Sequence, residues 1–206
     1  ILIDRKIFFF NDLIYFSKIY KSHIKLKNLL SRITIICVEP NFNHFKNRVY
    51  NNIDLLIPLA ISENNSQAIE IRDLFIANNN LLSQGNSIYE EKANINVEKS
   101  LKIISIDAIT FAKLIKNKFH NGNQKVVLRI NCEGSEDDII YAFWKVFDKK
   151  FSGILGSLKD VKEIKGNNAF KELNKFIKDN KLDFLRFHEN LDTWLEAHKY
   201  LIKQID

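Results

Sequence analysis

Two short apolar runs, each continuous rather than alternating, constrain the fold most. Residues 33–38 read Ile-Thr-Ile-Ile-Cys-Val, and residues 125–132 contain Val126-Val127-Leu128-Arg129-Ile130. Unbroken runs of β-branched residues suit strands covered on both faces, the setting of a parallel sheet. Parallel strands need long crossovers, usually helical. Helix-like segments do alternate with strand-like ones along this chain. Residues 5–10 read as a strand, and residues 13–30 as a helix broken near Ser22. Residues 43–51 form a short helix candidate with Phe45 and Val49 inward. Residues 54–61 are a third strand, made irregular at its far end by Pro58. Residues 68–76 are a fourth strand, followed by an asparagine-rich loop over 78–96 and a further strand over 101–106.

Asp107 caps a helix running to Phe119. Gly134 turns the chain after the 125–132 strand. Ser135, with Asp138 three residues on, starts a helix through Phe147. A strand over 151–158, a helix over 161–180 weakened at Gly166, a strand over 183–188 and a helix over 192–205 complete the pattern. It predicts an α/β fold: a doubly wound, mostly parallel sheet with helices on both faces. No repeat or Pro/Gly linker divides the chain, so residues 1–206 read as one domain.

Composition narrows the class. Two cysteines exclude a disulfide scaffold and predict a reducing, cytoplasmic setting. No apolar stretch approaches the roughly 18 residues of a membrane span. Asp4, Arg5 and Lys6 interrupt the apolar start, so no signal peptide is expected. Methionine is absent and the chain opens at Ile1, which predicts a fragment or a processed start, without the native N-terminus. The net charge is +6, and no acid falls between Asp12 and Glu39. The run Lys18, Lys21, Lys25, Lys27 and Arg32 could meet nucleic acid or an anionic glycan. The simpler reading is a solvated helix face.

Open α/β sheets bind ligands beyond the carboxyl ends of their strands. Asn11 and Asp12 follow the first strand, Glu39-Pro40-Asn41 the second, and Asn131-Cys132-Glu133-Gly134-Ser135-Glu136 the 125–132 strand. An acid ending a second strand can accept hydrogen bonds from ribose hydroxyls. Glu136, Asp137 and Asp138 suit a helix N-terminus, but that does not account for Glu133. The five histidines show no metal-ligand spacing, so no metal is expected. Cys132 reads as a structural thiol, Trp144 and Trp194 as packing aromatics, and no P-loop is present.

Five segments in order carry a family resemblance. They are Val38-Glu39-Pro40-Asn41, Leu59-Ala60-Ile61, Gly85-Asn86-Ser87-Ile88, Ile104-Ser105-Ile106-Asp107, and Leu128 through Glu136. The sequence resembles the FkbM-type methyltransferases over about residues 5–145. The resemblance implies a Rossmann-like methyltransferase sheet, S-adenosylmethionine as cofactor and methyl transfer to an oxygen, often on a sugar. It implies that Glu39 accepts the ribose hydroxyls, and that Asn86 and Ser87 line the cofactor loop. Asn131 and Glu133 would face its reacting end, with Glu133 as general base. Asn11 and Asp12 stand where the family carries its first cofactor loop. That loop is glycine-rich in the family, whereas residues 8–15 here contain no glycine. Two other classes stay open: a Rossmann-like binding or scaffold protein without catalysis, and a nucleic-acid methyltransferase or binder using the basic run. The expected partner is a small-molecule or glycan acceptor rather than nucleic acid. Substrate and oligomeric state are not written in these residues.

Overall fold

The computed structural model describes residues 2–4, 33–47, 50–51, 53–63, 67–186, 196, 199–201 and 203–204. The strand expected over 5–10, the helix over 13–30, the basic run, Asn11, Asp12, Val49 and Trp194 lie outside the described residues, as does most of 192–205. The described residues form a mixed α/β structure with two sheets. The larger has six strands in the order β3-β2-β1-β7-β8-β9. These are β1 (Leu2–Asp4), β2 (Ile33–Val38), β3 (Leu55–Ile57), β7 (Val126–Ile130), β8 (Phe151–Gly156) and β9 (Asp183–Arg186). The smaller has the order β4-β6-β5, with β4 (Ala60–Ser62), β5 (Ile69–Ala77) and β6 (Ile95–Asp107). Helices α1 (Ala108–Phe119), α2 (Glu136–Phe147) and α3 (Lys159–Asp179) accompany them.

The two continuous runs become the strands expected of them. Ile35, Ile36 and Cys37 are consecutive and all buried, as are Val126, Val127 and Leu128. β2 pairs in parallel with β3, and β7 with β8, which in turn pairs in parallel with β9. The larger sheet is mostly parallel, but the expectation of a single sheet needs correction. β1 runs antiparallel to both of its neighbours, β2 and β7. The strand read over 54–61 is also two strands in different sheets. Pro58 has no N–H for a ladder, and Leu59 N–H turns back to Ile57 O at 3.0 Å. The chain therefore leaves β3, and Ala60–Ser62 pairs in parallel with β6. β6 extends well before residue 101, since β5 pairs with it antiparallel from Ala77↔Ile95 to Ile69↔Ile106. The helix read over 43–51 is a 3-10 helix over Phe42–Lys46, capped by Asn41.

Helix α1 starts where expected, with Asp107 Oδ1 accepting from Thr110 N–H at 2.9 Å. It buries Phe111, Ala112 and Ile115, while α2 buries Ile139, Ile140, Phe143 and Phe147. Both sets keep helical spacing. Phe143 is fully buried, 6.3 Å from the Phe111 ring and 6.2 Å from Phe151 of β8. Its burial alone contributes roughly 2 kcal/mol. Trp144 and Tyr141 pack edge-on to Phe176 of α3, the packing role expected of Trp144. Helix α3 is kinked at Gly166, the weak point read from sequence (φ +87°). Gly156 answers a closer constraint. A Cβ there would sit 1.9 Å from Ile130 O, so any side chain would force β8 away from β7.

Candidate functional site: a cleft at the ends of β2 and β7

Because β1 runs antiparallel to both, β2 and β7 point the same way. β1 pairs only with Ile33–Ile35 of β2 and Val126–Val127 of β7. Beyond those positions lies a cleft of about 140 Å³, walled by the ends of both strands, by residues 59–61 and by the 78–94 loop. Comparable cavities of roughly 150 Å³ hold one aromatic ring.

Glu39 follows β2 and is 9% exposed. Asn41 N–H donates to its Oε1 at 2.8 Å, the Tyr50 hydroxyl donates to Oε2 at 3.2 Å, and His44 Nδ1 lies 3.2 Å from Oε2. The hydrogen bond to Glu39 is the main reason the His44 imidazole is raised above its ordinary value. Desolvation raises the Tyr50 phenol strongly, and the Glu39 charge adds to it, so the hydroxyl stays protonated as a donor. Asn41 is buried and ties this strand end to the 78–94 loop, its Nδ2 donating to Leu81 O at 2.6 Å.

Asn86 comes from that loop. Its Oδ1 accepts from Ala77 N–H at 2.8 Å, while its buried Nδ2 has no hydrogen-bond partner among the described residues. Ser87 does not line the cleft. It is buried behind it, donating to Glu133 O at 2.8 Å and accepting from Tyr89 N–H at 3.1 Å.

Glu133 occupies the turn between β7 and α2 with φ +62°, a left-handed conformation uncommon outside glycine. Gly134 follows with φ +130°, where a Cβ would meet the Tyr89 ring at 2.6 Å and Ile164 at 2.7 Å. The Glu133 carboxylate forms an ion pair with Lys92 through Oε2 and accepts from Asn131 Nδ2 at 3.3 Å through Oε1. Lys92 is 8% exposed, donates also to Gly85 O at 3.0 Å and lies 3.8 Å from Asp160 Oδ1. Burial pulls its ammonium below the ordinary value, with Asp160 opposing.

The start of α2 departs from the sequence expectation. Ser135 makes no capping bond. Its Oγ pairs instead with the Tyr89 hydroxyl at 3.2 Å. Glu136 takes over the turn, accepting from Cys132 N–H and Gly134 N–H, each at 2.9 Å. Completely buried, it is pushed from an ordinary 4.5 up to about 7 by desolvation. The Cys132 thiol is raised well above its usual range by desolvation, which suits the structural role read for it.

The structure therefore brings Glu39, Asn86, Asn131 and Glu133 to one cleft and sets Ser87 behind Glu133. Sequence reading missed Lys92, His44 and Arg129. Arg129 and His44 line the same cleft, and Lys92 stands against Glu133. His44 is three residues beyond the Val-Glu-Pro-Asn segment, close enough to have been weighed with it. Lys92 sits in a polar loop with no local signature. No protein-family model, no curated protein and no solved structure matches this chain.

Proposed function

We propose that the chain is an S-adenosylmethionine-dependent O-methyltransferase with a Rossmann-like sheet, acting on a hydroxyl of a sugar or glycan. One observation carries the reading. Glu39, Asn86, Asn131 and Glu133, from three separate segments, line a single cleft at the carboxyl ends of β2 and β7. The donor set fits the nucleoside part of such a cofactor, of which the enclosed volume of about 140 Å³ takes about one ring. A carboxylate offers about four acceptor positions. Among the described residues Glu39 is engaged by three groups, which leaves a position for a ribose hydroxyl. Asn86 Nδ2, without a hydrogen-bond partner among the described residues, supplies a buried donor for a ring nitrogen or sugar oxygen. When bound, the cofactor supplies a methyl group on a sulfonium. The chain's own residues do the rest. The cleft walls hold the acceptor in line and limit its water. Glu133 Oε1, which among the described residues carries only the long contact from Asn131, takes the proton of the acceptor hydroxyl.

The test is Glu133→Gln with two readouts. Methyl transfer to a panel of sugar acceptors is lost, while S-adenosylmethionine still binds by calorimetry. Unchanged turnover would remove Glu133 from the chemistry. No heat with the wild-type chain at millimolar cofactor would overturn the proposal. A second reading is a Rossmann-like binding or scaffold protein. The observation behind it is that both cleft carboxylates already hold partners from their own chain. The same calorimetry separates the two.

A further inference from the structure

We infer that Lys92 is a positioning residue: it clamps the 78–94 loop onto the β7–α2 turn and holds Glu133 in place as a carboxylate. The inference rests on the reading of Glu133 as the base. It deepens that reading, because Lys92 belongs to none of the five segments that carry the family resemblance.

The geometry is specific. Glu133 is gripped twice by one loop. Ser87 Oγ donates to its backbone carbonyl at 2.8 Å, and Lys92 Nζ pairs with its carboxylate. The first grip supports a left-handed backbone (φ +62°) that a glutamate does not favour on its own. The second fixes the side chain. Lys92 is itself fixed from behind by Gly85 O at 3.0 Å, one residue before the cleft-lining Asn86. A single ammonium thus ties the loop that carries Asn86 to the turn that carries Glu133.

The surrounding charges explain why a lysine is buried there. Its ammonium pairs with Glu133 and lies 3.8 Å from Asp160 Oδ1, and Asp160, Glu136 and Glu163 favour its charge, with Lys159 opposing. A buried cation beside a carboxylate keeps that carboxylate ionised at lower pH than it would be alone. The acid side of a base-dependent reaction then reaches lower pH.

Three variants test the clamp: Lys92→Met, Lys92→Arg and Glu133→Gln, each checked for folding by near-ultraviolet circular dichroism. In Lys92→Met the acid limb of the methyl-transfer pH profile moves to higher pH, so transfer on that limb is roughly tenfold or more slower, the effect of losing an adjacent opposite charge. Lys92→Arg restores the profile. A merely structural lysine would lower the rate equally at every pH, and that result in folded Lys92→Met would overturn the inference. A second measurement needs no activity and no folded Lys92→Met. The side-chain amine of Lys92 is titrated by nuclear magnetic resonance in the wild-type chain and in Glu133→Gln. The expected result is titration at lower pH in Glu133→Gln. Identical titration in both would overturn the clamp. Coupling between the two residues with no transfer by the wild-type chain would keep the clamp and overturn the methyltransferase reading.

Discussion

Glu136 is the residue whose setting departs most from what its sequence neighbourhood suggests. Among Glu136, Asp137 and Asp138 it reads as one more acid favouring a helix N-terminus. In the fold it is the one whose carboxylate is completely buried, holding two backbone amides of the preceding turn. A carboxyl raised in the folded state to about 7 from 4.5 gives a stability contribution fully present below the unfolded value. That contribution is lost as pH rises through the folded value. Wild-type stability is therefore expected to fall between about pH 4.5 and 7 relative to Glu136→Gln, which has no proton to lose there. Chemical denaturation across that range measures the difference, and parallel curves for the two proteins would contradict it. The same residue marks a limit of sequence reading. Spacing identified an acidic helix start, but which acid turns inward depends on the left-handed pair Glu133 and Gly134, a tertiary constraint imposed by Tyr89 and Ile164.

At the scale of elements, legibility followed burial and capping chemistry. The 33–38 and 125–132 runs were readable because strands buried on both faces need no alternation, and α1 because Asp107 has a capping geometry of its own. Asp107→Ala removes that cap and is expected to cost about 1 kcal/mol of stability. Thermal unfolding checks this, with Asp107→Asn or Asp107→Ser retaining most of the stability. What the sequence hid was partner choice. Nothing local tells residues 60–62 to leave β3 and pair with β6, although Pro58 marks where they can do so. The length of β6 was hidden for a related reason. Its first half is exposed and polar, and is held by its ladder to β5 rather than by an apolar face. The cleft was legible in its acids and asparagines. It was not legible in Lys92, whose partners lie on α3 and in the β7–α2 turn.

At the scale of the whole molecule, the apolar core is uneven. One cluster runs from Ile36 of β2 through α1, α2 and α3 to Leu182, whereas Ala60, Leu74 and Ile103 form a small one in the second sheet. The outer face of that second sheet leaves Ile69, Ile71 and Ile104 exposed. Opening free energies track such differences in burial. Amides of β7 and β8 are therefore expected to exchange more slowly than those of residues 95–102. Hydrogen exchange with mass spectrometry measures this, and equal protection would mean that the two sheets open as one unit. The turn that joins β7 to α2 has a further consequence, for what its own amides can offer a ligand. Helix N-termini ordinarily offer their amides to the phosphates of a dinucleotide or triphosphate. Here the amides of the turn before the helix, those of Cys132 and Gly134, are already taken by Glu136, with Asp137 and Asp138 following it in the first turn of α2. An anion entering that turn would have to displace a carboxyl group of the chain itself.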